Sequence, residues 1–241
     1  MSFKLTRQFN PKRLTLLAFV CVLGLFNLGL WQVARMHEKE RLLNQFHHRM
    51  KEQPLSPPFK QPAVLFHRAT MQGLFDNAHQ ILLDNKTYQG RVGYELYTPF
   101  ITQGSKEIIL VDRGFVPIGK SRQVLPTIEP ITEPVTITGL INQPPKYFSW
   151  GEMVDATGHH VMRIEYLDLT KIAKLFSRPL YPFVLNLDPH SPFARPLEWQ
   201  IVVMPPERHR GYAVLWFALA ITLLIICLGL NCRRFIGSYR L

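Results

Sequence analysis

The residues best placed to do chemistry sit at the two ends of the chain. His209 lies in Glu207-Arg208-His209-Arg210, immediately before a long uncharged run. If a helix begins near this point, Tyr212, Ala213 and Trp216 follow His209 at i+3, i+4 and i+7, on one face. Trp31 and Arg35 close the other uncharged run at i and i+4. Two spans crossing the same layer would bring an indole, an imidazole and several guanidinium groups to one interface. Arg208, Arg210 and the positive end of the helix dipole favour a neutral imidazole with a lone pair free for a metal. The same arginines can pair with the carboxylates of an amphipathic planar ligand, and haem iron takes histidine as an axial ligand. A plainer account also stands: Trp31, Tyr212 and Trp216 as interfacial aromatics, with the arginines as snorkelling anchors.

Positioning such a constellation requires the two uncharged runs to be helices. Leu14 to Ala34 and Gly211 to Cys232 contain no Asp, Glu, Lys or Arg. Each holds just over 20 residues, enough at ~1.5 Å per residue to cross a hydrocarbon core of ~30 Å. The first is too long for a signal peptide and ends in Leu30-Trp31-Gln32-Val33, without a small-x-small cleavage site. The tail 1–13 carries Lys4, Arg7, Lys12 and Arg13, and the tail 233–241 carries Arg233, Arg234 and Arg240. Neither contains an acid, so both termini are expected in the cytoplasm. That leaves residues 35–210 outside it, periplasmic in a bacterial cell.

Charge partitions accordingly. The formal net charge is +11, but all 17 carboxylates lie between the spans against 21 Lys and Arg, so that domain is only mildly basic. Much of the excess is topological and points to membrane lipid, not nucleic acid. Cys21, Cys227 and Cys232 all fall in or at the end of a span, so no disulfide framework is expected in the domain.

Between the spans, Arg35 to Gln53 reads as a polar, membrane-proximal helix with Met36, Leu43 and Met50 repeating at seven. Pro54 ends it, and residues 54–62 read as an extended linker. Short β segments follow at 81–86, 94–100, 106–114, 135–142, 160–167, 181–187 and 197–203, with a hairpin through Thr102-Gln103-Gly104-Ser105. Leu167 to Phe176, with Asp168 near its start and Pro179 beyond its end, is the expected internal helix. The fold class is thus membrane α+β: a transmembrane hairpin of N- and C-terminal helices bearing a β-rich antiparallel extracytoplasmic domain.

Familiar catalytic signatures are missing. His37-Glu38 opens an HExxH pattern, but Arg41 stands at the second histidine. There is no GxSxG, no glycine-rich phosphate loop and no CxxC. His47-His48 and His159-His160 are adjacent pairs whose rings diverge on a helix or strand. A non-enzymatic role follows as the expectation.

Four blocks, in order, are similar to the surfeit locus protein 1 family. Residues 28–43 (LGLWQVARMHEKERLL) resemble the signature closing its first span. Residues 93–100 (GYELYTPF) and 109–117 (ILVDRGFVP) resemble its central blocks. Residues 208–220 (RHRGYAVLWFALA) resemble its second-span signature, in which a His precedes a Tyr and a Trp. Asp112 stands where the family usually has Asn, and Glu207-Arg208 where Asn-Asn often precedes the His. The resemblance implies an inner-membrane assembly factor for cytochrome c oxidase, acting around delivery of haem a to the large oxidase subunit. It makes His209 the haem iron ligand. A haem a synthesis enzyme becomes a further partner. Trp31, Gln32 and Arg35 match the first-span signature, and Arg113-Gly114 the central block. A haem-free scaffold that stabilises oxidase assembly intermediates remains the alternative.

Overall fold

The computed structural model describes residues 11–59, 65–119, 124–145, 161–174, 176, 178–196, 198–199 and 201–238. The chain divides into two compact units, Met1–Asn44 with Ile201–Leu241, and Gln45–Gln200.

The first unit is a pair of long helices. Helix α1 runs unbroken over Pro11–Arg49, and α3 over Pro206–Ser238. The polar helix expected from Arg35 continues the first span without a break, since Val33 to Glu38 contains neither proline nor glycine, and it ends at Arg49 before reaching Gln53. Both helices are long and apolar enough to cross a membrane. They pack antiparallel: Thr15 meets Asn231, Phe26 meets Phe217, and Gln32 meets His209. Along α1, the residues withdrawn from solvent include Thr15, Ala18, Val22, Leu25, Gly29, Gln32 and Met36. On α3 they include Pro206, His209, Ala213, Trp216, Ala220, Leu223 and Cys227. Both sets alternate steps of three and four, the heptad spacing that keeps one seam facing a partner helix.

The second unit is built on a β-barrel. Strands β1 (Arg68–Phe75), β2 (Gln80–Tyr88), β3 (Arg91–Thr102), β4 (Ile108–Pro117), β5 (Val135–Asn142), β6 (Val161–Ile164) and β7 (Leu180–Leu187) form one sheet. Its order is β1-β5-β7-β4-β3-β2-β6, and β1 also pairs with β3. Five strands (β1, β5, β7, β4, β3) therefore close on themselves. Closure works because β3 is long: Phe100–Thr102 pair with β1, while Arg91–Tyr97 pair with β2. The β2–β3 turn is Gln89-Gly90, both at positive φ (48° and 76°), the geometry favoured by two-residue hairpins.

Alternation of side chains sorts the barrel into layers. Phe100, Ile109, Val111, Phe183 and Leu185 fill the interior. Tyr97, Leu110 and Val184 point outwards and are covered by Ile164 of β6 and Ile172 of helix α2 (Leu169–Ala173). Residues Ile108 to Val116 of β4 are consequently buried on both faces. Asp168 caps α2, its Oδ1 accepting from the amides of Thr170 and Lys171 at 2.9 and 3.1 Å.

Three sequence expectations are corrected. The sheet is mixed: β4–β7 and β2–β6 are parallel, made possible by long connections, through β5, β6 and α2 in the first case and through β3, β4 and β5 in the second. Helix α2 is shorter than Leu167–Phe176, since Asp168 occupies the cap and the helix ends at Ala173. The strand expected at 197–203 does not form among its described residues. The backbone pairing beside the end of β4 comes from Arg195 and Pro196, bonded to Arg113 and Gly114's neighbour Phe115, while Trp199 donates its indole N–H to the Leu187 carbonyl at 3.0 Å. Residues 60–62 of the linker, and His159-His160 at the start of the β6 region, lie outside the described residues.

Candidate functional site

Small residues let the two helices approach closely, which is what positions the candidate site. A Cβ at Gly29 would stand 2.5 Å from the Phe217 ring, so only glycine admits that ring to the seam. Phe26 and Phe217 also pack with ring centroids 5.3 Å apart. One turn beyond Gly29 along α1, Gln32 faces α3.

There it meets His209. Gln32 Oε1 lies 2.7 Å from His209 Nδ1, joining residues 177 positions apart. His209 is only 7% exposed, and its Nε2 is buried without a hydrogen-bond partner. An isolated buried polar atom is costly unless something pairs with it. A ring nitrogen in that condition has the chemistry of a metal ligand, so the residue fits a haem iron.

Of the other expected site residues, Trp216 joins His209 on the seam, two turns along, and is half-buried. Trp31 and Arg35 stack on the adjoining face of α1, the guanidinium carbon 5.6 Å from the ring centroid. Arg35 is also committed to Glu38 at 2.6 Å, an ion pair that holds the Glu38 carboxyl below its usual range. Arg208, Arg210 and Tyr212 are exposed, off the buried stripe. An i+3 position shares a general face with His209, but the 3-4-3-4 stripe selects Ala213 and Trp216 and leaves Tyr212 outside. Gln32 is the residue that reasoning from charge and aromatic spacing passed over; its signal was a lone amide in step with Gly29 and Met36 on the apolar stripe.

The central blocks form a separate polar cluster in the barrel unit. Gly114 has φ of 105°, and a Cβ there would stand 2.7 Å from the Arg195 carbonyl. Asp112 Oδ1 accepts from the Gly114 amide at 2.9 Å. Burial, and then the neighbouring Glu95 charge, push the Asp112 carboxyl well above its usual range. Arg113 lies over the Phe75 ring at 5.3 Å and donates from Nε to the Phe193 carbonyl at 3.1 Å. Burial and the Arg195 charge lower its guanidinium to about 10. Among the described residues, no group of three or more His, Cys, Asp or Glu could hold a metal ion.

Known proteins match this arrangement along almost its whole length. The SURF1 family model matches residues 19–221. A SURF1-like protein of Rickettsia prowazekii is 26% identical over 209 residues, covering 84% of this chain and 83% of its own. Surfeit locus protein 1 of Gallus gallus is 26% identical over 213 residues, 80% of this chain and 67% of its own. The cytochrome oxidase assembly protein SHY1 of Saccharomyces cerevisiae is 26% identical over 115 residues, 46% of this chain and 30% of its own. With a match that reaches from within the first helix, across the barrel unit, into the second helix, the chain belongs to the SURF1 family.

Proposed function

We propose that the protein assists assembly of cytochrome c oxidase, holding haem a through His209 for insertion into the large oxidase subunit. The helices anchor it in the inner membrane. The basic tails face the cytoplasm, and the barrel stands on the other side. The observation that carries the reading is the unpartnered Nε2 of a buried histidine on the helix seam. Trp216 on the same stripe, with Trp31 beside Gln32, would offer flat aromatic surface to the macrocycle. Arg208 and Arg210, exposed on either side of His209, would meet propionate carboxylates. When bound, the haem supplies an iron centre with an open coordination position for nitrogen. The protein's residues orient it and exclude water.

The test is an absorption spectrum of the purified full chain from cells that make haem a, beside His209→Ala. Wild type carrying haem, with its signal lost in the variant, is the expected result. A haem content and spectrum unchanged in His209→Ala would defeat axial ligation. A second reading has its own support: a Gln–His hydrogen bond between helices is also a packing contact in an apolar layer. A colourless wild type that still co-purifies with the large subunit would favour a haem-free scaffold.

A further inference from the structure

Resting on the haem reading, we propose that Gln32 is a positioning residue that fixes the tautomer of His209 and so makes Nε2 the ligating atom. An amide oxygen accepts hydrogen bonds and cannot donate. With Gln32 Oε1 2.7 Å from Nδ1, the proton of the neutral ring resides on Nδ1, and the lone pair falls to Nε2. That is the same nitrogen left buried without a partner. A histidine side chain free in water favours the opposite tautomer, with N–H at Nε2, which puts the lone pair on Nδ1 and leaves none at Nε2 for a metal. A partner on the far ring nitrogen is the general device by which proteins orient metal-binding histidines and raise their donor strength.

The helix register enforces the contact. Phe217 seated against Gly29 sets how far α1 and α3 can slide. Phe217 also packs on Phe26. From that contact Gln32 lies six residues along α1 and His209 eight along α3 in the antiparallel sense, about 9 and 12 Å, so amide and imidazole come within reach of one another. Helix packing alone would be served by any polar pair of suitable length. The arrangement found leaves one nitrogen occupied and the other open.

The test is nitrogen NMR of full-length protein labelled with 15N-histidine, in nanodiscs and without haem. His209 is identified among the nine histidines by difference against His209→Ala. We expect the Nδ1–H tautomer in wild type, a shift to Nε2–H in Gln32→Met, and retention of Nδ1–H in Gln32→Glu, whose carboxylate also accepts. In protein loaded with haem a, Gln32→Met should bind about 10–100-fold more weakly, as for other outer-shell partners. Gln32→Glu should bind like wild type.

Nε2–H in haem-free wild type overturns the proposal without reference to any variant or ligand. So does a tautomer that ignores Gln32→Met, or haem affinity equal in wild type and Gln32→Met; either leaves His209 ligation intact. If the tautomer follows Gln32 but no sample takes up haem, the haem reading itself falls, and with it the role of Gln32 towards iron.

Discussion

The helix pair and the barrel are built with opposite polarity. In the barrel, Phe100, Ile109, Val111 and Leu185 are wholly buried. In the helix pair, the residues packed away are Gly29, His209, Ala213 and Ala220, while Leu16, Phe19, Val214 and Ile225 stand exposed. Water drives apolar side chains together, so a water-facing domain collects them inside. A lipid-facing pair gains nothing by hiding leucine and is held by close backbone approach and a few polar contacts. The difference explains why a histidine with an open nitrogen belongs in the helix seam. There a polar group can be buried beside small residues without displacing a packed core.

Truncating the barrel core should have the largest effect. Phe100→Ala removes a fully buried ring packed 5.0 Å from Phe75, at an expected cost of about 3–5 kcal/mol. Denaturant unfolding of the purified full chain measures it, and a negligible loss would mean the barrel interior is not the stabilising core. A charge tests the polarity contrast directly. Ile221, 57% exposed on α3, and Val92, 48% exposed on β3, look alike by accessibility. Ile221→Arg should cost about 2.5–3.5 kcal/mol of insertion, whereas Val92→Arg should change stability by under about 0.5 kcal/mol. Membrane-insertion and thermal-melting assays compare them; equal effects would erase the contrast.

Glycines differ between the regions in the same way. Gly114→Ala forces a side chain into positive φ against the Arg195 carbonyl, costing about 1–3 kcal/mol. Gly24→Ala meets nothing within 4 Å and should be neutral, or gain up to about 1 kcal/mol of helix propensity. Melting temperatures decide between them. The smallest effect is a slope. Burial, and then the Glu95 charge, raise the Asp112 carboxyl well above its ordinary value of 3.8 in the fold, so above 3.8 the folded protein gives up its proton later than the unfolded chain does. Stability therefore declines as pH rises above that value, by no more than about 1.4 kcal/mol per pH unit. Asp112→Asn, which cannot ionise, should flatten the decline; a melting profile across pH 4–8 identical to wild type would count against a raised Asp112.

Much of this was legible in order along the chain. Two uncharged runs flanked by basic residues mark the helices, because removing charge from water is costly whatever the fold. Alternating apolar residues locate β5 at Val135–Asn142 with both ends correct. The connection read through Thr102-Gln103-Gly104-Ser105 joins β3 to β4, with Gly104 at positive φ (78°), a conformation few residues accept. Strand direction was not legible. An apolar strand reads the same in a parallel or antiparallel ladder, and only the long-range pairing of β4 with β7 decides it. Trp199 misled because an aromatic with β propensity can equally donate its indole to a neighbouring carbonyl.

The amino-acid order alone determined that two apolar helices bracket a β domain, and that His209 stands at the start of the second, since hydropathy and charge are local properties. It could not determine what the imidazole faces. Gln32 and His209 are separated by nearly the whole chain, and their meeting depends on how far one helix slides along the other. That register is set by Phe217 fitting over the missing side chain of Gly29, a steric match between distant residues that exists only once both helices are packed.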